Sequence, residues 1–164
     1  MTLLSVVLAL AAFLCSLVAG LLFTFAIVVM PGVGKLDDNG FIRSFQVIDR
    51  VIQNNQPVFL FVWVGSVVGM MSAAVLVFLK LGGTDRVIMF AAALVYLLGV
   101  QLPTVTINIP MNNELQSLDL STMDETTIGR ARRKFEPRWN RWNAIRAACS
   151  SCASILLLLL LLRV

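Results

Sequence analysis

The chain has 164 residues, 59% of them apolar and 13% charged, with 13 Lys and Arg against 9 Asp and Glu. That is about half the charge density of an ordinary soluble domain, and no charge falls within 1–34, 51–79, 87–113 or 147–162. There is no histidine, which excludes histidine metal sites and removes the commonest general base; the net charge of +4 flanks the apolar stretches, where it meets lipid headgroups, so nucleic acid is not an expected partner.

A helix needs roughly 20 apolar residues to cross a bilayer. The charge-free stretches therefore predict spans at about 3–30, 57–79, 87–108 and 140–162, the last borrowing its first turn from Trp142 to Arg146. The predicted fold class is an all-α membrane protein: one four-transmembrane-helix bundle over 1–164, with a short amphipathic interfacial helix in loop 1 and a helical loop 3.

The first span lacks a basic n-region and stays apolar to Met30, so it is expected to be retained rather than cleaved. Ala12, Ser16, Gly20 and Thr24 recur every four residues along it and predict a close-packing stripe. Cys15, Cys149 and Cys152 all fall in spans without a cationic neighbour, and are read as small packing residues.

Loop 1 carries Phe41, Phe45, Ile48 and Ile52 on one helical face, with Arg43, Asp49, Arg50 and Gln53 elsewhere around the wheel. Asp38 or Asn39 can cap its start, and Asn54-Asn55-Gln56-Pro57 ends it. Such a helix either lies on the headgroups or roofs a pocket between the spans. Span two carries a second small-residue stripe, Gly65, Gly69 and Ala73, and Trp63 at the level of an aromatic belt. The connector Lys80–Arg86 is tight and makes spans two and three antiparallel neighbours.

Span three turns polar at its end. Gln101, Thr104, Asn108 and Asn112 share one face if the helix continues through Pro103, which should kink it; Pro110 should end or redirect it. Polar side chains at membrane depth need partners, so this face points into the bundle, as interhelical glue or as the wall of a ligand pocket. Loop 3 runs from acidic to basic, with Ser121 or Asp124 as a cap and Pro137 as a break. A fourth helix then begins near Trp139, placing Trp139, Trp142 and Arg146 on its first two turns. Loops 1 and 3, counted with Arg141 at the start of the last span, hold nine of the 13 basic residues, which puts both in the cytoplasm by the positive-inside rule.

Two blocks resemble the anthrone oxygenase-like family of small four-span membrane proteins. One is Gly20–Gly32 with Phe45-Gln-Val-Ile-Asp-Arg50 and Asn55-Gln-Pro-Val-Phe59. The other is Asn108-Ile-Pro-Met-Asn-Asn-Glu-Leu115 with Trp139-Asn-Arg-Trp-Asn-Ala-Ile-Arg146. Where the family pattern carries Asn-Arg in loop 1, this chain has Asp49-Arg50. The resemblance implies a four-helix bundle with its marked residues at one end, and oxidation of an anthrone methylene to a quinone carbonyl by dioxygen. No metal or organic cofactor is expected.

Chemistry of that kind needs a base and an anion clamp. Asp49 and Glu114 are the candidate bases. Arg50 or Arg146, with the amides of Asn108, Asn112 and Asn143, can hold an enolate or phenolate oxygen, and Gln101 extends that polar wall. Phe45 and Trp142 can stack a flat, apolar aromatic substrate. Two non-catalytic readings use the same residues: a structural or accessory subunit of a membrane complex or homo-oligomer, or a lipid- or small-molecule-binding protein. Catalysis or binding requires a pocket lined by Gln101, Asn108, Asn112, Trp142 and Arg146. A structural role requires those side chains to saturate one another.

Overall fold

Five helices account for the regular structure of residues 2–164 in the computed structural model. They are α1 (Leu3–Val33), α2 (Asp38–Gln53), α3 (Pro57–Lys80), α4 (Gly83–Gln116) and α5 (Glu125–Leu161). All but α2 are long and apolar enough to cross a membrane, and the protein is an integral membrane protein of the all-α class. Side-chain caps start the helices: Thr2 for α1, Asp37 for α2, Gln56 for α3 and Asp124 for α5. The Thr127 hydroxyl and N–H hold the exposed Asp124 carboxyl below its usual range.

Prolines shape the long helices in two ways. Proline has no N–H, and its ring clashes with the carbonyl four residues back. Pro31, Pro103 and Pro110 do not end their helices; each follows a π-helical turn that closes two residues earlier, at Phe25–Val29, Leu97–Gln101 and Thr104–Asn108. The wider turn absorbs the clash, so α1 runs on to Val33 and α4 to Gln116, where the sequence suggested ends near Met30 and Asn108. Pro137 is also no break. It lies inside the 37-residue α5, with Pro137 and Arg133 both exposed, so the carbonyl it leaves free faces outward.

The spans pack only in part through the residues that the small-residue spacing suggested: Ala12 is buried, but the rest of the α1 stripe is not. On α1, Ser16, Gly20 and Thr24 face outward, and the packed stripe is Leu4, Leu8, Ala11, Cys15, Val18 and Leu22. Ser16 and Thr24 return their hydroxyls to the carbonyls four residues back. On α3 the expected stripe does pack: a methyl group on Gly69 would sit 3.2 Å from Ala11 Cα. Gly99 of α4 plays the same part against α5, where a methyl group would meet Cys149 Sγ at 2.6 Å.

A second apolar core lies beyond the first, at the loop 1 and loop 3 end. Met30, Phe41, Ile42, Phe45, Met111, Leu115, Phe135 and Trp139 form it, with Phe45 edge-on to Phe135 and Trp139. Arg132 locks α2 there. Its guanidinium donates to the carbonyls of Gly34 and Leu36, pairs with Asp38 and Glu136, and lies over the Phe41 ring. Gln46 donates to the carbonyls of Leu115 and Leu118, which ties α2 to the end of α4.

Overpacking a close helix contact costs about 1–3 kcal/mol. Gly99→Ala should lower the denaturation midpoint of the solubilised protein accordingly, and Cys149→Gly in the same chain should recover part of the loss. Equal midpoints for parent and Gly99→Ala would show that α4 and α5 are not in tight contact.

Candidate functional site

The two apolar cores do not fuse. Between them lies a cavity of about 340 Å³ with a predominantly apolar wall. Every helix contributes: Leu22 and Phe25 from α1, Phe45 and Asp49 from α2, Phe59 and Trp63 from α3, Thr104 and Asn108 from α4, and Trp139, Asn143 and Arg146 from α5. The π turn of α1 begins beside it, and the second π turn of α4 lies along it. The Thr104–Asn108 turn carries Thr104 and Asn108 onto the wall, and Phe25 opens the turn in α1.

At the deep end sits Arg146, 5% exposed. It donates to Thr104 Oγ1 (3.0 Å) and to Asn143 Oδ1 (3.1 Å). Thr104 passes its own hydroxyl proton to the Val100 carbonyl, so its oxygen is free to accept. Asn143 is fixed in turn by donating to the Leu22 carbonyl. None of these partners is charged, and no carboxylate pairs with Arg146 among the described residues. Its Nε has no partner. Beside it on the wall, Asn108 is 2% exposed, with neither Oδ1 nor Nδ2 hydrogen-bonded. Buried polar atoms are nearly always paired, yet three without a partner belong to two residues that line this one void.

At the other end Asp49, 5% exposed, is the one carboxylate on the cavity wall among the described residues. Its Oδ1 accepts from Asn112 (2.8 Å), and its Oδ2 from Gln53 (2.7 Å) and Gln116 (3.1 Å). Asn112 also accepts from Trp139 Nε1 (2.9 Å), which joins α2, α4 and α5 in one network. This is a clasp, and its members are satisfied by one another.

Of the residues singled out from sequence, Phe45, Asp49, Asn108, Asn112, Asn143 and Arg146 meet at this cavity. Four do not line it. Glu114 is exposed and pairs with Lys134. Arg50 is exposed on the opposite face of α2 from Phe45 and Asp49. Trp142 is half-buried, one residue round α5 from Asn143. Gln101 lies behind the wall, accepting from Trp63 Nε1 (3.0 Å). Asp49 and Gln53 also correct the helical-wheel reading of loop 1: both turn to the cavity, because Phe45, Asp49 and Gln53 are successive steps of four. Sequence reasoning did not assign Phe25, Phe59, Trp63 or Trp139 to a site, named Thr104 only as part of the polar face of span three, and passed over Gln53 and Gln116 as partners of Asp49.

The molecule is thus an integral membrane helix bundle with an aromatic-walled cavity at one end. A family model described as anthrone oxygenase matches residues 59–156, more than half of the chain, and the chain belongs to that family. The match spans Thr104, Asn108, Asn112, Trp139, Asn143 and Arg146, and leaves Asp49 outside it. No curated protein and no solved structure matches the chain.

Removing Asn112 would leave both the Asp49 carboxylate and the Trp139 indole short of a partner. Asn112→Leu, which nearly keeps the volume, should cost about 2 kcal/mol or more, since each buried orphan costs about 1–3. A denaturation midpoint equal to the parent's would show that the clasp carries no stability.

Proposed function

We propose that the protein is an oxygenase for a flat, apolar hydroxyaromatic substrate of the anthrone or quinol type, and that the substrate itself supplies the electrons. In this reading the four long helices each cross the bilayer as one domain, with loops 1 and 3 on the cytoplasmic side. The supporting observation is Arg146: a buried guanidinium without a carboxylate, next to an unpartnered amide, on the wall of an aromatic cavity. Such a cation calls for an anion from outside the chain. A phenolate or enolate oxygen satisfies both Arg146 and Asn108, while Phe25, Phe45, Phe59, Trp63 and Trp139 accept the ring face and edges. The cavity is at the small end of the range for ligand sites, about 300–1,000 Å³.

The chemistry assigned to the residues is brief. The substrate methylene gives up a proton, and Asp49 is the carboxylate within the cavity to take it; Oδ1 has one donor only, which leaves a lone pair. The electron pair left on carbon delocalises onto the oxygen held by Arg146 and Asn108, where preorganised donors act without reorganisation. The anion is then electron-rich enough to reduce dioxygen. The methylene loses two hydrogens and gains one oxygen atom, and the other oxygen leaves as water, so one dioxygen is consumed per carbonyl formed.

Loss of one oxyanion donor typically lowers turnover by about 10²–10³-fold. Dioxygen uptake by proteoliposomes with 1,8-dihydroxyanthrone should fall by at least that much in Arg146→Gln and drop markedly in Asp49→Asn, and stay at the parent rate in Glu114→Gln. Parent-level uptake by Arg146→Gln would overturn the proposal.

A further inference from the structure

The rim of the cavity is as specific as its floor. Leu22, Phe45, Asp49, Asn108, Trp139, Asn143 and Arg146 are all buried, and they come from α1, α2, α4 and α5. The exposed lining residues are Gln53, Asn55, Leu60, Ile109 and Asn113. All five belong to the end of α2, the α2–α3 turn, the start of α3 and the second half of α4; none comes from α1 or α5. The mouth therefore opens on one side of the bundle.

The packing of α3 explains the opening. It lies along α1 over its length and against Gly83–Tyr96 of α4, but hardly touches α4 beyond that point. The last tie between them is the hydrogen bond from Trp63 to Gln101. From there towards loop 1 the two helices part. Leu60 (39% exposed) and Ile109 (46% exposed) stand on either side of the gap and reach both the cavity and the outer surface. Their neighbours on that outer surface are apolar: Phe61 and Val64 on α3, and Leu102 and Val105 on α4, all exposed. This is the face of the bundle that meets acyl chains. Above the gap the rim turns polar, with Gln53, Asn55 and Asn113, as expected at headgroup level.

The geometry points to a lateral portal: the cavity opens sideways into the bilayer between α3 and α4, and takes its ligand from the membrane past Leu60 and Ile109 rather than from water through the loops. The ligand class is a membrane-dissolved, ring-shaped apolar molecule with a hydroxyl at its leading end. That end passes the apolar gate and reaches Arg146, while the trailing end can stay beneath the amides of the rim. This assignment of ligand rests on the proposed function; the portal itself rests only on the shape and exposure of the wall.

The portal can be tested without substrate. The chain has three tryptophans, and in Trp142→Phe the two that remain, Trp63 and Trp139, both line the cavity. In bilayers of 6,7-dibromo-phosphatidylcholine their emission should be quenched, although Trp139 is 4% exposed. Narrowing the gate with Leu60→Phe and Ile109→Phe should restore at least half of the quenched emission. Val58→Phe, outward-facing and off the cavity wall, should restore none. Equal quenching in all three proteins overturns the portal. Stopped-flow uptake of 1,8-dihydroxyanthrone from liposomes is the second arm: the narrowed gate should slow both association and release, each by about tenfold. An unchanged association rate overturns the portal as well. Arg146→Gln separates the two proposals: it should abolish probe retention while leaving bromolipid quenching intact. A parent protein that is quenched by bromolipid but inert towards the anthrone sinks the oxygenase and leaves the portal standing.

Discussion

A guanidinium buried among membrane helices, with no counter-ion among the described residues, is the constraint around which this fold is arranged. A charged side chain within a membrane-spanning helix is costly unless it is paired or reaches water. Here the cost is offset by neutral acceptors alone, Thr104 and Asn143, each committed elsewhere so that only its oxygen faces Arg146. A chain selected for stability alone would place a leucine at that position. In the proposed reading the arginine is half of an interaction whose other half is the substrate oxygen.

The rest of the architecture follows from keeping that site dry and shaped. Two apolar cores, one between the spans and one beneath the loops, are held apart by a void. The lower core rests on α2, fastened by Arg132 at its start and by the Asp49–Asn112–Trp139 network near its end. Proline-driven π turns in α1 and α4 re-aim side chains beside the void without breaking the helices. The polar residues thus divide into two groups. The Asp49 network ties three helices together, and it also carries the only carboxylate on the wall among the described residues, with one donor on Oδ1 and two on Oδ2. The Arg146–Asn108 pair is unsaturated and faces the void.

Much of this was legible in the sequence. Confinement of charge marks the four long helices, and the spacing of Phe41, Phe45, Ile48 and Ile52, with the expected cap at Asp38 or Asn39, marks α2 to within two residues of its bounds, the cap being Asp37. The amide face of α4 and the Trp-Arg start of the last span lead to Asn108, Asn112, Asn143 and Arg146. What was not legible depends on contacts distant in sequence. Pro137 looked like a stop because a sequence does not show that the freed carbonyl faces outward. The regular small residues of α1 looked like a seam, yet rotation of the helix about its axis turned Leu8 and Cys15 inward instead. Glu114 and Asp49 were equivalent as carboxylates; only the partners they meet, Lys134 for one and three amides for the other, tell them apart. Gln53 and Gln116 reach Asp49 from four residues away and from another helix, and no periodicity announces the second.

The central claim is that Arg146 holds an anionic oxygen inside the cavity. A hydroxyanthraquinone that changes colour on ionisation, such as 1,8-dihydroxyanthraquinone, reports this directly when its visible absorption is followed against pH in proteoliposomes. Bound to the parent protein, its phenol should ionise at lower pH than in protein-free liposomes, and Arg146→Gln should move the transition back. A transition at the same pH in parent, Arg146→Gln and empty liposomes would contradict the claim.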